Sequence, residues 1–263
     1  MLRVFMNDQQ IHTPLDPDSV RHVVDIGCGT GVVTDRLAAM FPKAEVLGLD
    51  MSPVPKLREC PGNVRYLSGN ILSQGPSEWV TEEGNAVLQE SADIFDLTFS
   101  RFLILGMRDW SGYIHKLYQL LKPGGWAEVQ EIAPRLYDAN GQDLRGKLEW
   151  HNWHQRYWKS KGLDLILVEQ VPEIMKEAGF VDVQVKKYRL SVGGEGEQDP
   201  KRKKAGDFWR QDLLEVFTLA FSRAAKDSGD EAAGRMLDQF RQETTTVQGR
   251  YHEVLVFYGR KPN

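Results

Sequence analysis

The chain has 263 residues, 41% of them hydrophobic and 27% charged, with a formal net charge of −4 and two cysteines. That length suits one sizeable domain with a cap or insertion, and the mild acidity, pI about 5.9, argues against nucleic acid as a main partner. Cys28 and Cys60 offer neither a disulfide framework nor metal-ligand spacing, no apolar run is long enough for a membrane span, and the N-terminus lacks a secretion signal, so the expected home is the reducing cytoplasm.

Taken in chain order, the first 22 residues are polar and interrupted by Pro14 and Pro17. A strand is predicted over 21–26, then a glycine turn, then a helix carrying Val32, Val33, Leu37 and Met40 that ends before Pro42. Strands follow at 45–49 and 64–67. Residues 73–92 are acidic and polar and read as a surface excursion carrying Trp79. After a strand at 94–99, Tyr113, Lys116, Leu117, Leu120 and Leu121 mark an amphipathic helix stopped by Lys122-Pro123-Gly124-Gly125, before a strand at 126–129. An aromatic-rich helical stretch spans 144–161, a short helix 171–178 stops at Gly179, and 181–190 is strand-like. The Gly/Glu/Pro-rich stretch 193–206 reads as a solvated loop holding the basic cluster Lys201-Arg202-Lys203-Lys204; helices at 208–226 and 231–241 and a strand at 251–258 close the chain. Strands alternating with helices predict an α/β fold, a doubly wound, mostly parallel sheet whose final strand enters antiparallel at an edge.

The most informative segment is Val23-Val24-Asp25-Ile26-Gly27-Cys28-Gly29-Thr30-Gly31, followed by Asp50 at the end of the next strand. Glycines turn the backbone sharply, take positive φ, and let a ligand approach with no Cβ in the way. An acid ending the second strand is where open α/β sheets bind ribose hydroxyls. The site is therefore built for an adenosine-containing cofactor. A dinucleotide fingerprint needs a third glycine where Val32 stands, and no Gly-Lys-Ser/Thr follows for a triphosphate loop.

Asp25, Gly27, Gly29 and Gly31 are joined downstream by Gly69-Asn70-Ile71, Ser100-Arg101, Asp109-Trp110, the run Lys122-Pro123-Gly124-Gly125-Trp126-Ala127-Glu128-Val129-Gln130-Glu131, Ala178-Gly179-Phe180-Val181-Asp182-Val183 and Tyr258-Gly259-Arg260-Lys261-Pro262. With these the chain resembles the class I S-adenosylmethionine (SAM) methyltransferases, more narrowly the fungal LaeA-like group, and within it the gliotoxin type of bis-thiomethyltransferase. The resemblance implies a seven-stranded Rossmann-like sheet in a single domain over 1–263, with helical cap segments at 143–161 and 193–247 that bind substrate. It implies SAM as cofactor, S-adenosylhomocysteine as product, and no metal. In the same way it places Gly27, Cys28, Gly29 and Gly31 under ribose and methionine, Asp50 on the ribose hydroxyls, Met51 on the adenine, Asn70 and Ile71 at the adenine edge, and Ser100, Arg101 and Asp25 at the methionine end. Helices ahead of the first strand cover SAM in this class; here the cover falls to 2–11 or to residues ahead of Met1.

The implied acceptor is a small secondary metabolite, favoured as a thiol or dithiol natural product, with oxygen or nitrogen acceptors and a regulatory role through partners left open. Phe102, Trp150, Trp153 and Phe208 are the candidate acceptor-binding residues. Trp150, Trp153, His154 and Tyr157 fall at i, i+3, i+4 and i+7 and share one helix face, either as a pocket wall or as core. His154 is the candidate general base.

Overall fold

The computed structural model describes residues 2–89, 92–228 and 231–263. Seven strands form one sheet in the order β3-β2-β1-β4-β5-β7-β6. β1 (His22–Ile26), β2 (Glu45–Asp50), β3 (Val64–Ser68), β4 (Phe95–Arg101) and β5 (Leu121–Ile132) are mutually parallel. β7 (Tyr251–Arg260) runs antiparallel to β5: Lys261 N–H donates to Gly125 O at 2.8 Å, and Ala133 N–H to Glu253 O at 2.8 Å. The predicted α/β class and sheet hold, with one correction. The final strand is not the edge; it inserts between β5 and β6 (Val181–Ser191), and β6 takes the edge.

The protein comprises two compact units. The first comprises Gln10–Glu131, Leu167–Lys186 and Val256–Asn263. Here α1 (Val32–Met40) packs Leu37 and Ala38 onto Val23, Val46, Leu97 and Phe99, and Phe41 closes the same core. The alternation of each central strand is hidden because both faces are buried, as parallel sheets require. Helix α2 (Trp110–Leu120) starts at Asp109, whose side chain accepts from Gly112 N–H at 2.8 Å. The Lys-Pro-Gly-Gly stop is not a free turn. It lies inside β5 as a bulge, with Phe95 paired to Leu121 and Leu97 to Trp126, and Gly124 N–H tied to Lys261 O. The excursion after β3 is anchored by Trp79, fully buried against Gly69, where an added Cβ would lie 2.5 Å from Trp79 Cδ1.

The second unit comprises Ile132–Ile166 and Lys187–Leu255 with the residues before Gln10. Its helices are α3 (Glu149–Ser160), α5 (Pro200–Ser228) and α6 (Glu231–Thr246); α4 (Val171–Glu177) belongs to the first unit. The basic cluster 201–204 is not a loop. It forms the first turns of α5, with Pro200 at the first helical position, where its missing N–H costs nothing. No helix among the described residues is long and apolar enough to cross a membrane.

Candidate functional site

The glycine turn hangs from the end of β2. Gly27 and Cys28 N–H both donate to Leu49 O, at 2.7 and 3.1 Å, which fixes the turn beside Asp50. Gly27, Gly29 and Gly31 all take positive φ, 67°, 56° and 74°. Their surroundings differ in kind. A Cβ on Gly27 would strike Leu103 and one on Gly31 would strike Tyr66, each at 2.3 Å, whereas Gly29 has nothing within 4 Å. Gly27 and Gly31 are glycines for the fold, and Gly29 is the point of open approach. The Asp50 carboxylate crosses to this point, accepting from Gly29 N–H and from Ser52 N–H, both at 2.9 Å. Met51 beside it is 73% exposed.

Asp25, next to last in β1, is buried, its carboxylate accepting from Thr34 Oγ1 at 2.7 Å. Burial pushes its pKa up to about 7 against the pull of Thr34 and of Arg101. Cys28 is buried within the turn, and burial raises its thiol far above the usual range, so it is no nucleophile near neutral pH. Ser100 is fully buried near the end of β4. Arg101 ends that strand half-buried, donating from Nε and Nη2 to Gln130 Oε1 at 2.9 and 2.6 Å, and burial lowers its pKa to about 10, which leaves it a cation. Phe102 follows at φ 60°, a left-handed conformation that bulky residues adopt at a cost, and is 37% exposed.

After β3, Asn70 and Ile71 are committed differently. Asn70 Oδ1 accepts from Leu72 N–H at 2.9 Å. Ile71 is buried and lines a cavity of about 400 Å³ with Trp79, Lys116 and Leu120, so it faces α2. Glu128, Gln130 and Gln10 have no site role assigned from the sequence. Glu128 and Gln130 are fully buried on one face of β5, and their signal was present as polar residues at period 2 in a central strand. Glu131, on the other face, accepts from Leu103 and Ile104 N–H, and burial raises its pKa to about 8.

In the helical unit the aromatic stripe is core. Trp150 is 2% exposed, with Phe240 and Phe217 edge-on at 4.9 and 5.8 Å. Trp153 is half-buried, stacked on Tyr157 at 5.3 Å and on Phe221 at 5.2 Å. His154 is corrected as a base: Nε2 accepts from Trp158 Nε1 at 2.8 Å, Phe217 stacks on the ring at 4.5 Å, and burial lowers its pKa to about 3. A buried imidazole already spent as an acceptor takes no proton from a substrate near neutrality. Phe208 stands exposed on α5.

In the first unit the structure thus gathers an open glycine, an exposed methionine, a strand-end carboxylate and a cation beside a buried carboxyl. A family model described as "Methyltransferase domain" matches residues 8–185. The chain is 25% identical over 213 residues to Methyltransferase pytC of Aspergillus terreus, covering 80% of this chain and 60% of that one. It is 27% identical over 217 residues to the Secondary metabolism regulator LAE1 of Cochliobolus heterostrophus, covering 80% and 66%. The chain therefore spans about 60% of the length of the first of these curated relatives. Among solved structures, a phosphoethanolamine N-methyltransferase 2 of Haemonchus contortus in complex with S-adenosyl-L-methionine superposes with a TM-score of 0.56 at 22% identity, over 100% of this chain and 51% of that one. The [4+2]-cyclase SpnF superposes with a TM-score of 0.52 at 18% identity, over 93% and 76%. That likeness is one of fold, which by itself assigns no reaction. With the family model covering most of its length, the chain belongs to the methyltransferase-domain family.

Proposed function

We propose that this protein is a SAM-dependent methyltransferase of a small secondary metabolite, with a thiol or dithiol as the favoured acceptor. The observation that carries the cofactor reading is Asp50. Its carboxylate stands at the carboxyl end of β2 over Gly29, whose positive φ and empty surroundings admit a ligand. When bound, SAM supplies an activated methyl on a sulfonium for in-line displacement, releasing S-adenosylhomocysteine. This chain's residues hold and align. Asp50 exchanges its backbone donors for two ribose hydroxyls, charge-assisted bonds worth roughly 1.5–3 kcal/mol each. Met51 lies against the adenine, and Gly27, Cys28, Gly29 and Gly31 form the floor. Arg101 pairs with the carboxylate of the amino-acid end, and Asp25 and Ser100 complete it. Asn70 and Ile71 are assigned to the adenine edge, where the Asn70 side-chain oxygen accepts from Leu72 N–H and its own N–H donates to Gln74 Oε1.

The acceptor reading rests on chemistry and on the relatives. Positioning supplies much of the acceleration of a methyl transfer, and a thiol, with a pKa of ~8.5 against ~10 for a phenol, needs no strong base. His154, occupied by Trp158, leaves the reaction to acceptors that ionise easily. We assign acceptor contact in the first unit to Phe102; in the helical unit the segments 143–161 and 193–247, with Trp153, Phe208 and the core residue Trp150, are assigned to substrate binding. The relatives' secondary-metabolism setting favours a fungal metabolite, and two thiols without a disulfide suit the cytoplasm. A second reading, regulation through partners on the same fold, is favoured by the likeness to LAE1.

Calorimetric titration with SAM tests the cofactor placement. The wild-type chain binds, and Asp50→Ala weakens binding tenfold or more. Equal affinity in the two proteins would remove Asp50 from the site.

A further inference from the structure

Five residues around Arg101, Gln10, His12, Thr13, Glu128 and Gln130, have no role in the reading above, and they form one hydrogen-bonded chain within the first unit. Gln130 pairs with Arg101 across β4 and β5, so its side chain lies on the same face. Its Oε1 accepts from Arg101 Nε and Nη2 at 2.9 and 2.6 Å. Its Nε2 donates to Glu128 Oε1 at 2.6 Å and to Gln10 O at 3.0 Å. An amide rotated end for end would present NH2 to the guanidinium and oxygen to the carboxylate, so only one orientation is satisfied. Glu128 is held in turn by the N–H groups of His12 and Thr13, at 2.7 and 3.0 Å, and by His12 Nδ1 at 3.1 Å. Glu128 and Gln130 are fully buried, and a network of this kind is costly unless every member is satisfied.

One member is not satisfied. The Gln10 side chain is 5% exposed, and neither its Oε1 nor its Nε2 has a partner. A buried amide with a free donor and a free acceptor, in the segment that bonds Arg101's own anchor, has hydrogen-bonding capacity left for a polar ligand.

We infer that Glu128 and Gln130 are positioning residues that fix Arg101 and the segment 10–13 together, and that the Gln10 amide joins Arg101 in binding the zwitterionic amino-acid end of the cofactor. The Gln10 Oε1 would accept from the ammonium and its Nε2 donate to the carboxylate. The inference rests on the SAM reading of the site, and the test separates the two. S-adenosylhomocysteine and 5′-methylthioadenosine share the nucleoside and thioether, but only the first carries the amino-acid end.

The experiment is calorimetric binding of both probes to the whole chain, wild type and variants. Gln130→Met removes the amide while keeping the length of the side chain. It is expected to weaken S-adenosylhomocysteine tenfold or more while methylthioadenosine stays within twofold, which also shows that the variant folds. Should Gln130→Met lose both probes, Gln10→Ala decides, because its backbone carbonyl still receives Gln130. It is expected to weaken S-adenosylhomocysteine several-fold and leave methylthioadenosine unchanged. Equal weakening of both probes by Gln10→Ala, or no change in either, overturns the inference with the cofactor reading intact. A wild-type chain that binds neither probe overturns the cofactor reading and the inference with it.

Discussion

Gly29 and Gly31 sit two residues apart in the same turn, yet the structure gives them different consequences. In Gly31→Ala the new Cβ meets Tyr66, whose hydroxyl donates to Asp35 at 2.7 Å, and the left-handed backbone adds about 1–2 kcal/mol. That variant is expected to lose stability in chemical denaturation beyond the backbone cost alone. Gly29→Ala meets no atom, so it pays only the backbone term and loses affinity for SAM instead. If Gly29→Ala bound SAM like the wild type, the open approach at Gly29 would not be the cofactor's. These glycines and Asp50 were legible in the sequence because their demands are local: a turn, a strand end, an acid. Arg101 was legible as a cation, but its anchor was not. Gln130 lies 29 residues away, and only the register of β4 on β5 brings the two together.

Elements were legible where the hydrophobic period was long and the punctuation strong. Helix α1 ends before Pro42, as its sequence demands, and α4 stops at Gly179, which takes φ 98°. The misreadings arose where one signal served two structures. Lys-Pro-Gly-Gly reads as a turn, but in β5 it is a bulge stitched to the chain after β7, a long-range pairing invisible to local pattern. The basic cluster 201–204 reads as loop because charges and nearby glycines break periodicity, yet Pro200 starts a helix there. The stripe on α3 satisfies a pocket wall and a core equally; burial decided for core at Trp150 and His154. Trp150→Ala is accordingly expected to cost about 3–5 kcal/mol in denaturant unfolding. A loss under 1 kcal/mol would mean that the ring is not buried in solution. His154→Phe is expected to leave the pH profile of methyl transfer unmoved; loss of an ionisation from that profile would restore the imidazole as a base.

Across the whole molecule the buried titratable groups divide by unit. His151, His154 and His252, in the helical unit, have pKa values lowered by burial to about 4, 3 and 4. The unfolded chain takes up protons near the ordinary histidine value of 6.5 before the folded one does, so stability falls as pH drops from about 6.5 toward 3–4. Asp25 and Glu131, in the other unit, have pKa values raised to about 7 and 8. The folded state keeps protons that the unfolded chain releases near 4, so their contribution is full below about pH 4, declines progressively above it, and is lost once pH passes about 7 for Asp25 and about 8 for Glu131. Thermal unfolding across pH 4–9 is expected to show losses on both sides of a maximum in the mildly acidic range. Asp25→Asn is expected to steepen the acid side between about pH 4 and 6.5 and to remove the part of the alkaline fall that ends near pH 7. A monotonic rise of stability to pH 9 would contradict the buried, protonated carboxyls.

The central claim, that this chain moves a methyl group from SAM to a small metabolite, is tested most directly by mass spectrometry of acceptors incubated with the protein and SAM. The panel holds a reduced dithiol metabolite, a monothiol, a phenol and an amine. The account predicts methyl-sized mass gains on the thiols, doubled on the dithiol, and none when Asp50→Ala replaces the wild type at limiting SAM. Gains on the phenol or amine alone would contradict the thiol preference. No transfer to any acceptor by a chain that binds SAM would contradict the enzyme reading in favour of regulation through partners.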